Sequence, residues 1–326
     1  MKKILGMGNA LTDILLQIDN DDVLLTLNLM KGGMQLINSE RSHEISKAVS
    51  NFSKKMAAGG SASNTINGIT RLGMNAGFVG KVGKDDVGLF FTNDSQNNGV
   101  ATHLLQSETP SGHCTVLVSP DSERTLCTYL GAACELEAAD LKPEMFQGYD
   151  IFHIEGYLVQ NHDLIRTAVQ MAKQSGLMVS IDLASYNVVE ENLDFLHEIV
   201  AKYVDIVFAN EDEARAFTGK EPQDALNEIA KRCEIAVVKI GKDGSYIKSG
   251  DETVLVEPRL ANCIDTTGAG DLYAAGFLFG LANNNSLEVC GKIGSLVSGN
   301  VVEVLGAKME DEVWEKIHFE ISKIVE

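Results

Sequence analysis

The segment from Asp265 to Asp271 (DTTGAGD) places small residues and a carboxylate just before an apolar helical stretch. A helix start leaves backbone N–H groups unpaired and carries partial positive charge, which suits a bound anion. Gly268, Ala269 and Gly270 have no bulky side chains, so an anion can approach their backbone. Asp271 would stand beside that anion, where an acid is useful if it takes a proton from an attacking hydroxyl. These residue types indicate phosphoryl transfer to an alcohol, with Asp271 as the base.

A simpler interpretation is a capped helix start, because an aspartate in a first helical turn is favourable on electrostatic grounds alone. For Gly268 to Asp271 taken alone, this interpretation is the stronger one. The longer string from Asp265 to Leu278, however, resembles the C-terminal signature of the ribokinase family (PfkB carbohydrate kinases). The resemblance implies that Asp271 is the catalytic base and that the amides of Gly268 to Gly270 form the anion hole for the transferred phosphoryl group.

Length and composition limit the classes of protein. The chain has 326 residues, of which 44% are hydrophobic, and a formal net charge of -19. Such acidity argues against nucleic acid and anionic membranes as partners. The six cysteines form no C-x-x-C pair, which is typical of free thiols in a reducing compartment. No apolar run approaches the ~20 residues of a membrane helix. We expect a cytoplasmic protein.

The second half of the chain alternates short apolar strands with amphipathic helices. Strands are predicted at Asp150–Ile154, Met178–Asp182, Ile206–Ala209 and Ile235–Ile240. Helices are predicted near Asp163–Ser175, Leu193–Lys202 and Pro222–Arg232. This alternation indicates a parallel sheet covered on both faces, which binds ligands beyond the carboxyl ends of its strands.

The first half is expected to add a small separate sheet. After a first strand at Ile4 to Met7 the chain returns to strand-like alternation at Ile14 to Ile18, and two further strands are joined by a turn near Pro120. We predict one domain over residues 1–326, with lid strands from about 12–38 and 100–132. With the resemblance, this implies a three-layer α/β/α ribokinase-like fold with a mostly parallel central sheet and a small β-sheet lid.

Two further glycines precede a helix in the N-terminal half. Gly59-Gly60, followed by Asn64, by itself predicts a tight strand-to-helix turn. The segment also resembles the family's Gly-Gly-x-x-x-Asn signature, which implies contacts of all three residues with sugar hydroxyls. An Asn amide both donates and accepts, which suits adjacent hydroxyls. Asp13 resembles the family's sugar-binding aspartate, whose two oxygens can hold a vicinal diol.

Two motifs follow predicted strands in the C-terminal half. Asn210 and Glu213 by themselves indicate a helix N-cap with acids in the first turn. The pair also resembles the family's Asn-x-x-Glu motif. This resemblance implies that Glu213 organises Mg²⁺ through water. Gly241 and Gly244 are compatible with a hairpin turn and also resemble the family's Gly-x-x-Gly nucleotide loop. Many family members carry Thr where Lys239 stands, so the resemblance assigns Lys239 no role.

Several stretches look most like the adenosine kinase-type branch of the family. Among them, Arg124 resembles an arginine that approaches the transferred phosphate from the lid. The alternative is that Arg124 is an ordinary exposed charge on a hairpin. An adenine site needs apolar walls, and the candidates are Leu36, Leu117, Leu126, Tyr129 and Phe152. The resemblance implies ATP-dependent phosphorylation of a ribose-type 5'-hydroxyl, adenosine first, with a free sugar (ribose, fructose or a keto-sugar acid) as the alternative.

The resemblance also extends to ions and assembly. Asp265 and Thr267 resemble the family's monovalent-cation site, which implies activation by K⁺ in addition to Mg²⁺ and ATP. The protein is expected to be a monomer or a homodimer through the lid. A different class of function is a nucleoside or sugar sensor that binds without turnover. The carboxylate at Asp271 argues against a sensor, because a pure binder needs no base there.

Overall fold

The computed structural model describes residues 2–121 and 123–325, which form two β-sheets and the helices that cover them. The strands are β1 (Ile4–Met7), β2 (Leu11–Gln17), β3 (Met34–Leu36), β4 (Lys54–Gly59), β5 (Ala76–Gly83), β6 (Val100–Ser107), β7 (Gly112–Val118), β8 (Arg124–Tyr129), β9 (Ile151–Glu155), β10 (Met178–Asp182), β11 (Ile206–Asn210), β12 (Ile235–Lys239), β13 (Ser245–Ser249) and β14 (Glu252–Val256). The α-helices are α1 (Asp22–Thr26), α2 (Ser39–Ala48), α3 (Ser61–Arg71), α4 (Asp86–Asn97), α5 (His162–Gln174), α6 (Tyr186–Glu191), α7 (Leu193–Tyr203), α8 (Glu211–Thr218), α9 (Pro222–Ile229), α10 (Ala269–Ala282), α11 (Leu287–Val301) and α12 (Asp311–Val325).

The large sheet has the strand order β14-β13-β12-β11-β10-β9-β1-β5-β6. From β6 to β12 every pair is parallel, and the β13–β14 hairpin closes one edge with antiparallel pairs. The parallel strands are short apolar runs because helices cover both of their faces. The predicted strands of the second half agree with the structure to within about one residue at each end, and the mostly parallel central sheet is confirmed.

Two buried cores lie on the two faces of this sheet. On one face α3, α10, α11 and α12 pack around Phe208 and Phe277, whose ring centroids are 5.4 Å apart. On the other face α5, α7, α8 and α9 pack around Phe146 and Phe152. The result is the predicted α/β/α arrangement, which fixes the carboxyl ends of the parallel strands along one edge. Within residues 2–121 and 123–325, none of the helices combines the length and apolarity required to cross a bilayer.

The small sheet has the order β3-β8-β7-β2-β4 and carries α1 and α2 on one face. Its strands differ from the predicted lid segments of about 12–38 and 100–132 at two points. Strand β6 pairs in parallel with β5 over eight residues and so belongs to the large sheet, whereas β4 joins the lid. The polar, amphipathic pattern of residues 39–57 predicts a single helix, but α2 ends at Ala48 and β4, which follows it, pairs with β2.

Candidate active site

Polar side chains gather where the parallel strands of the large sheet end. Asn9 follows β1, Glu155 ends β9, Asp182 ends β10, Asn210 ends β11 and Lys239 ends β12. Carboxyl ends of neighbouring parallel strands meet at one edge, which is where open α/β sheets bind ligands. The starts of α3 and α10 lie at the same edge, because Ser61 at the start of α3 hydrogen-bonds Asp271 in the first turn of α10.

The turn before α10 has the backbone form that its small residues permit. Gly268 is left-handed, with φ of 77°, and a Cβ there would lie 2.6 Å from the Cβ of Ala307. A side chain at Gly268 would therefore be both strained and in collision. The Ala269 amide donates to the carbonyl of Thr266 at 3.1 Å, so an anion bound at this turn would rely on the neighbouring amides of Gly268 and Gly270 unless that bond opened.

Asp271 is held by two donors from α3. The Ser61 hydroxyl donates to its Oδ1 at 2.8 Å and Asn64 Nδ2 donates to its Oδ2 at 3.0 Å. Burial raises the pKa of Asp271 to about 6, against the lowering effect of the hydrogen bonds from Asn64 and Ser61. At neutral pH the group is ionised and more basic than an ordinary aspartate, which suits a carboxylate that takes up a proton.

Asn64 presents a second polar atom to the cleft. Its Nδ2 is used by Asp271, and its buried Oδ1 has no hydrogen-bond partner among residues 2–121 and 123–325. A buried acceptor without a donor costs free energy, so the geometry suits a ligand that brings a hydroxyl.

The Gly59-Gly60 pair leaves room for two other groups of the site. A Cβ on Gly59 would lie 2.4 Å from the Asp13 carboxylate, and one on Gly60 would lie 2.3 Å from the carbonyl of Asn9. Gly60 also has φ of 92°. These glycines therefore let β2, β4 and the loop after β1 converge, and they bring the Asp13 side chain to the start of α3.

Asp13 lies on the lid and faces two cations. Burial raises its pKa to about 6, against the lowering effect of Lys308 and Arg124. The amine of Lys308 is itself desolvated, and burial lowers its pKa to about 8. Gly59-Gly60 thus connects the strand beside Asp13 to the helix α3 that carries Asn64, and Asn64 in turn contacts Asp271.

Glu155 belongs to the site although no motif in the sequence pointed to it. It is buried, and its carboxylate accepts hydrogen bonds from the Asn9 amide at 2.9 Å, the Asn9 side chain at 2.6 Å and the Ala62 amide at 3.0 Å. A Cβ on Gly8 would lie 2.2 Å from this carboxylate. Glu155 therefore ties the loop after β1 to the start of α3. The close approach of this carboxylate explains why a residue without a side chain stands at Gly8.

Asn210 and Glu213 form a reciprocal cap on α8. Asn210 Oδ1 accepts from the Glu213 amide at 2.9 Å, and Glu213 accepts from both the amide and the side chain of Asn210 at 2.7 Å. The helix-cap interpretation of the pair therefore holds in the structure. Burial, reinforced by the charge of Asp182, raises the pKa of Glu213 to about 7, so this carboxylate lies beside a second acid at the sheet edge.

Gly241 and Gly244 form the turn between β12 and β13. Ile240 donates to the Gly244 carbonyl at 2.8 Å, and Gly244 donates to the Gly241 carbonyl at 3.2 Å. Gly244 has φ of 100°, and a Cβ there would lie 2.0 Å from the Val256 carbonyl. The hairpin interpretation is thus realised, at the sheet edge that also holds Asn210.

Arg124 connects the lid to the loop before α10. Its guanidinium forms an ion pair with Asp265 and donates to Thr267 Oγ1 at 2.9 Å. The Asp265 carboxylate also accepts from the amides of Gly306 at 2.7 Å and Thr267 at 3.0 Å. Asp265 and Thr267, the predicted ligands of a monovalent cation, are therefore already bound to the guanidinium of Arg124. In this arrangement Asp265 does not fit K⁺, and K⁺ binding would require Arg124 to move away.

The carboxylate of Glu213 could hold Mg²⁺ in part, whereas Asp182 is already bound to the ammonium of Lys239. Mg²⁺ keeps several waters and commonly uses one or two carboxylates together with substrate phosphates. Among the residues that the structure describes, no three His, Cys, Asp or Glu side chains converge as a complete metal cage. Glu213 would therefore hold the ion only in part, directly or through water.

The lid turns an apolar strip toward the site. Leu15, Val116, Leu126 and Met34 are cross-strand partners across β2, β7, β8 and β3, so they project from one face; we call them the inner strip. Asp13, Cys114, Thr128 and Leu36 form the adjacent row on that face. The face of the lid that carries the Asp13 carboxylate is therefore largely apolar beside it.

This wall corrects part of the predicted adenine site. Leu126 and Leu36 lie on the inner face, as an acceptor site requires. Leu117 is fully buried against the helices on the outer face of the lid, and Tyr129 is on that outer face too, with its ring 5.5 Å from that of His113. Phe152 is fully buried within the large sheet. Strand alternation decides these assignments, since neighbouring residues project from opposite faces.

Comparison with known proteins places this geometry in a family. The chain resembles the solved structures of a probable sugar kinase from Rhizobium etli (32% identity, 99% of both chains, TM-score 0.87) and of adenosine kinase from Sinorhizobium meliloti (35% identity, 98% of this chain and 99% of the other, TM-score 0.86). It is 29% identical to a 5-dehydro-2-deoxygluconokinase from Geobacillus kaustophilus over 82% of this chain and 84% of that protein. The family model for pfkB carbohydrate kinases matches residues 29–312. The chain therefore belongs to the pfkB family of carbohydrate kinases.

Proposed function

We propose that the protein transfers the γ-phosphoryl group of ATP to the 5'-hydroxyl of a ribose-type acceptor, adenosine or a related nucleoside first. The observation that carries this proposal is the Asp271 carboxylate in the first turn of α10, held by Ser61 and Asn64 and bordered by the small residues of the preceding turn. A base at this position adjoins the helix start that would bind the phosphoryl group.

The transfer itself needs positioning and charge more than covalent chemistry. Asp271 takes the proton of the acceptor hydroxyl as its oxygen attacks the γ-phosphorus. The amides of Gly268 and Gly270 stabilise the charge on the phosphoryl oxygens, and Arg124 adds a positive charge from the lid. Glu213 would hold Mg²⁺, which would supply positive charge to balance the phosphates of ATP. Closure of the lid keeps water away from the phosphoryl group.

The inner strip supports a nucleoside over a free sugar. A ribose diol suits the two oxygens of Asp13, and a base beyond it would meet Leu15, Leu126 and Met34 rather than polar groups. The similarity to an adenosine kinase over nearly the whole chain points in the same direction. A free sugar, including a keto-sugar acid, is the second candidate because Lys308 adds a cation near Asp13 and a kinase of such a sugar is among the relatives.

Incubation with Mg-ATP and a panel of nucleosides, free sugars and sugar acids, followed by detection of ADP and the phosphorylated acceptor, tests the proposal. We expect adenosine to be the best acceptor. The variant Asp271→Asn should bind both substrates and lose turnover by about 10²–10⁴-fold. Turnover near that of the wild type would remove Asp271 from the mechanism. Binding of nucleosides without any product would instead identify a sensor.

Location and assembly complete the proposal. All six cysteines are free thiols, which supports a reducing compartment such as the cytoplasm. The monomer and the homodimer through the lid remain alternatives that light scattering distinguishes.

A further inference from the structure

Lys239 lies against the first turn of α10, although it is 31 residues away in sequence from Gly270. Its ammonium is 3.1 Å from the point where a Cβ on Gly270 would stand. The side chain leaves the end of β12, and only 14% of it is exposed. Because Gly270 has no side chain, the ammonium of Lys239 can lie beside the backbone that would hold the transferred phosphoryl group.

A carboxylate holds this ammonium in place. Asp182 Oδ2 accepts from Lys239 at 2.7 Å, and the Asp182 side chain is 8% exposed. Burial opposes the charge on Lys239, but Asp182 and Glu213 outweigh it, so the pKa of Lys239 lies above its ordinary value. The lysine is thus a fixed cation and a poor base, and its position is set by Asp182 on the neighbouring β10.

The start of α10 lies between two cations from different parts of the fold. Arg124 reaches Thr267 at one side from the lid, and Lys239 approaches Gly270 at the other from the large sheet. Several acids lie at the same place: the charges of Asp182, Glu213 and Asp271 all act on Lys239. A polyphosphate bound among these acids would be repelled without a nearby counter-charge.

We propose that Lys239 is a catalytic residue that contacts an oxygen of the transferred phosphoryl group. The inference rests on the proposed kinase function. In the step it assists, the acceptor oxygen forms a bond to the γ-phosphorus and its proton passes to Asp271. The bond from that phosphorus to the bridging oxygen breaks, and its electron pair stays on the terminal phosphate of ADP. Lys239 stabilises the negative charge on the transferring group while Asp182 keeps the ammonium in position.

The substitution Lys239→Met removes the charge and keeps the length of the side chain. We expect kcat to fall by about 10²–10³-fold, as for loss of one preorganised donor to a transition state, with the KM for the acceptor changed by less than about threefold. Lys239→Arg should recover at least about tenfold of that loss, because it restores a cation. Lys248→Met, which removes a lysine from the adjoining β13, is the matched control and should behave as the wild type.

If Lys239 has only a structural role, Lys239→Met would lower activity for another reason, because Asp182 is left buried and unpaired. The double variant Lys239→Met with Asp182→Asn separates the two cases. A catalytic lysine predicts that the double variant regains thermal stability and stays at least about tenfold slower than the wild type. Recovery of kcat to the wild-type value would overturn the proposal.

A binding measurement gives a second readout that does not depend on turnover. Titration with Mg-ADP alone should give the same Kd in the wild type and in Lys239→Met. Titration with Mg-ADP, aluminium fluoride and acceptor, which imitates the phosphoryl group in transfer, should be weaker in the variant by about 10²-fold. Equal affinity would contradict the role of Lys239. If the wild type phosphorylates no acceptor, the proposed function fails and this inference fails with it, whereas an active wild type with an equally active Lys239→Met refutes the inference alone.

Discussion

At the scale of single residues, the site depends on how Asp271 is kept ionised in a buried position. Burial raises its pKa to about 6, and the hydroxyl of Ser61 and the amide of Asn64 act in the opposite direction. Below this pKa the carboxyl is protonated and cannot accept the proton of a hydroxyl. Activity should therefore fall toward acid pH, with an apparent pKa near 6 in the dependence of kcat on pH.

Replacement of Ser61 tests this account. Ser61→Ala removes one hydrogen bond that favours the carboxylate, so the pKa of Asp271 rises and the acid limb of kcat moves upward by about one pH unit. Ser63→Ala, the same change two residues further along α3, should leave the limb in place. A limb that does not move in Ser61→Ala would show that another group controls the profile, and Asp13 is the alternative because burial raises its pKa to about 6 as well.

At the scale of elements, the glycine before α3 is what allows the loop after β1 and the helix to meet. Gly60 and Gly73 have almost the same φ, 92° and 89°, but only at Gly60 would a Cβ collide with another part of the chain. Substitution at Gly73 therefore measures the cost of a positive φ without a collision, whereas Gly60 combines a positive φ with an extended ψ of 142° and the collision with Asn9.

We expect Gly73→Ala to lower the free energy of unfolding by about 1–2 kcal/mol, the cost of a left-handed alanine. Gly60→Ala should cost about 1–3 kcal/mol more, because the backbone must shift to make room. It should also raise the KM for the acceptor, since the shift displaces Asp13 and Asn64. Denaturant titration and kinetics of the two variants measure both effects. Equal destabilisation with unchanged KM would mean that the contact with Asn9 relaxes without affecting the site.

At the scale of the whole molecule, one buried ion pair joins the lid sheet to the loop before α10. The side chains of Arg124 and Asp265 are only 10% and 9% exposed. Removal of one member of a buried pair leaves an uncompensated charge and typically costs about 3–5 kcal/mol. The pair therefore holds the lid over the turn before α10, and it competes with any cation that would bind Asp265.

This competition predicts a response to salt. Arg124→Ala frees Asp265 and Thr267, so K⁺ should raise the Tm of the variant more than Na⁺ does at equal ionic strength. The wild type should respond to the two ions alike. Arg166→Ala, an arginine on the surface helix α5, controls for the loss of one charge. A K⁺-specific rise of equal size in the wild type and in Arg124→Ala would mean that the guanidinium does not occupy the cation position.

Much of the element-scale architecture could be predicted from the pattern of residues. The alternation after Tyr149 predicted β9 to β12 and the helices between them, because buried parallel strands require apolar runs and covering helices require amphipathic ones. The lid was predicted less well. The short strand β4 carries two lysines and follows α2 closely, so its local pattern continued that of the helix, and only pairing with β2 makes it a strand.

The sequence by itself determined the motif positions around Asp271, the parallel sheet and the small lid sheet, because these follow from local residue types and periodicity. The tertiary structure alone decided which distant groups meet: Ser61 with Asp271 across 210 residues, Arg124 with Asp265 across 141, and Lys239 with Asp182 across 57. It also decided which face of each lid strand turns toward the cleft. These contacts depend on the packing of whole elements, and no local pattern encodes a distance between residues so far apart in the chain.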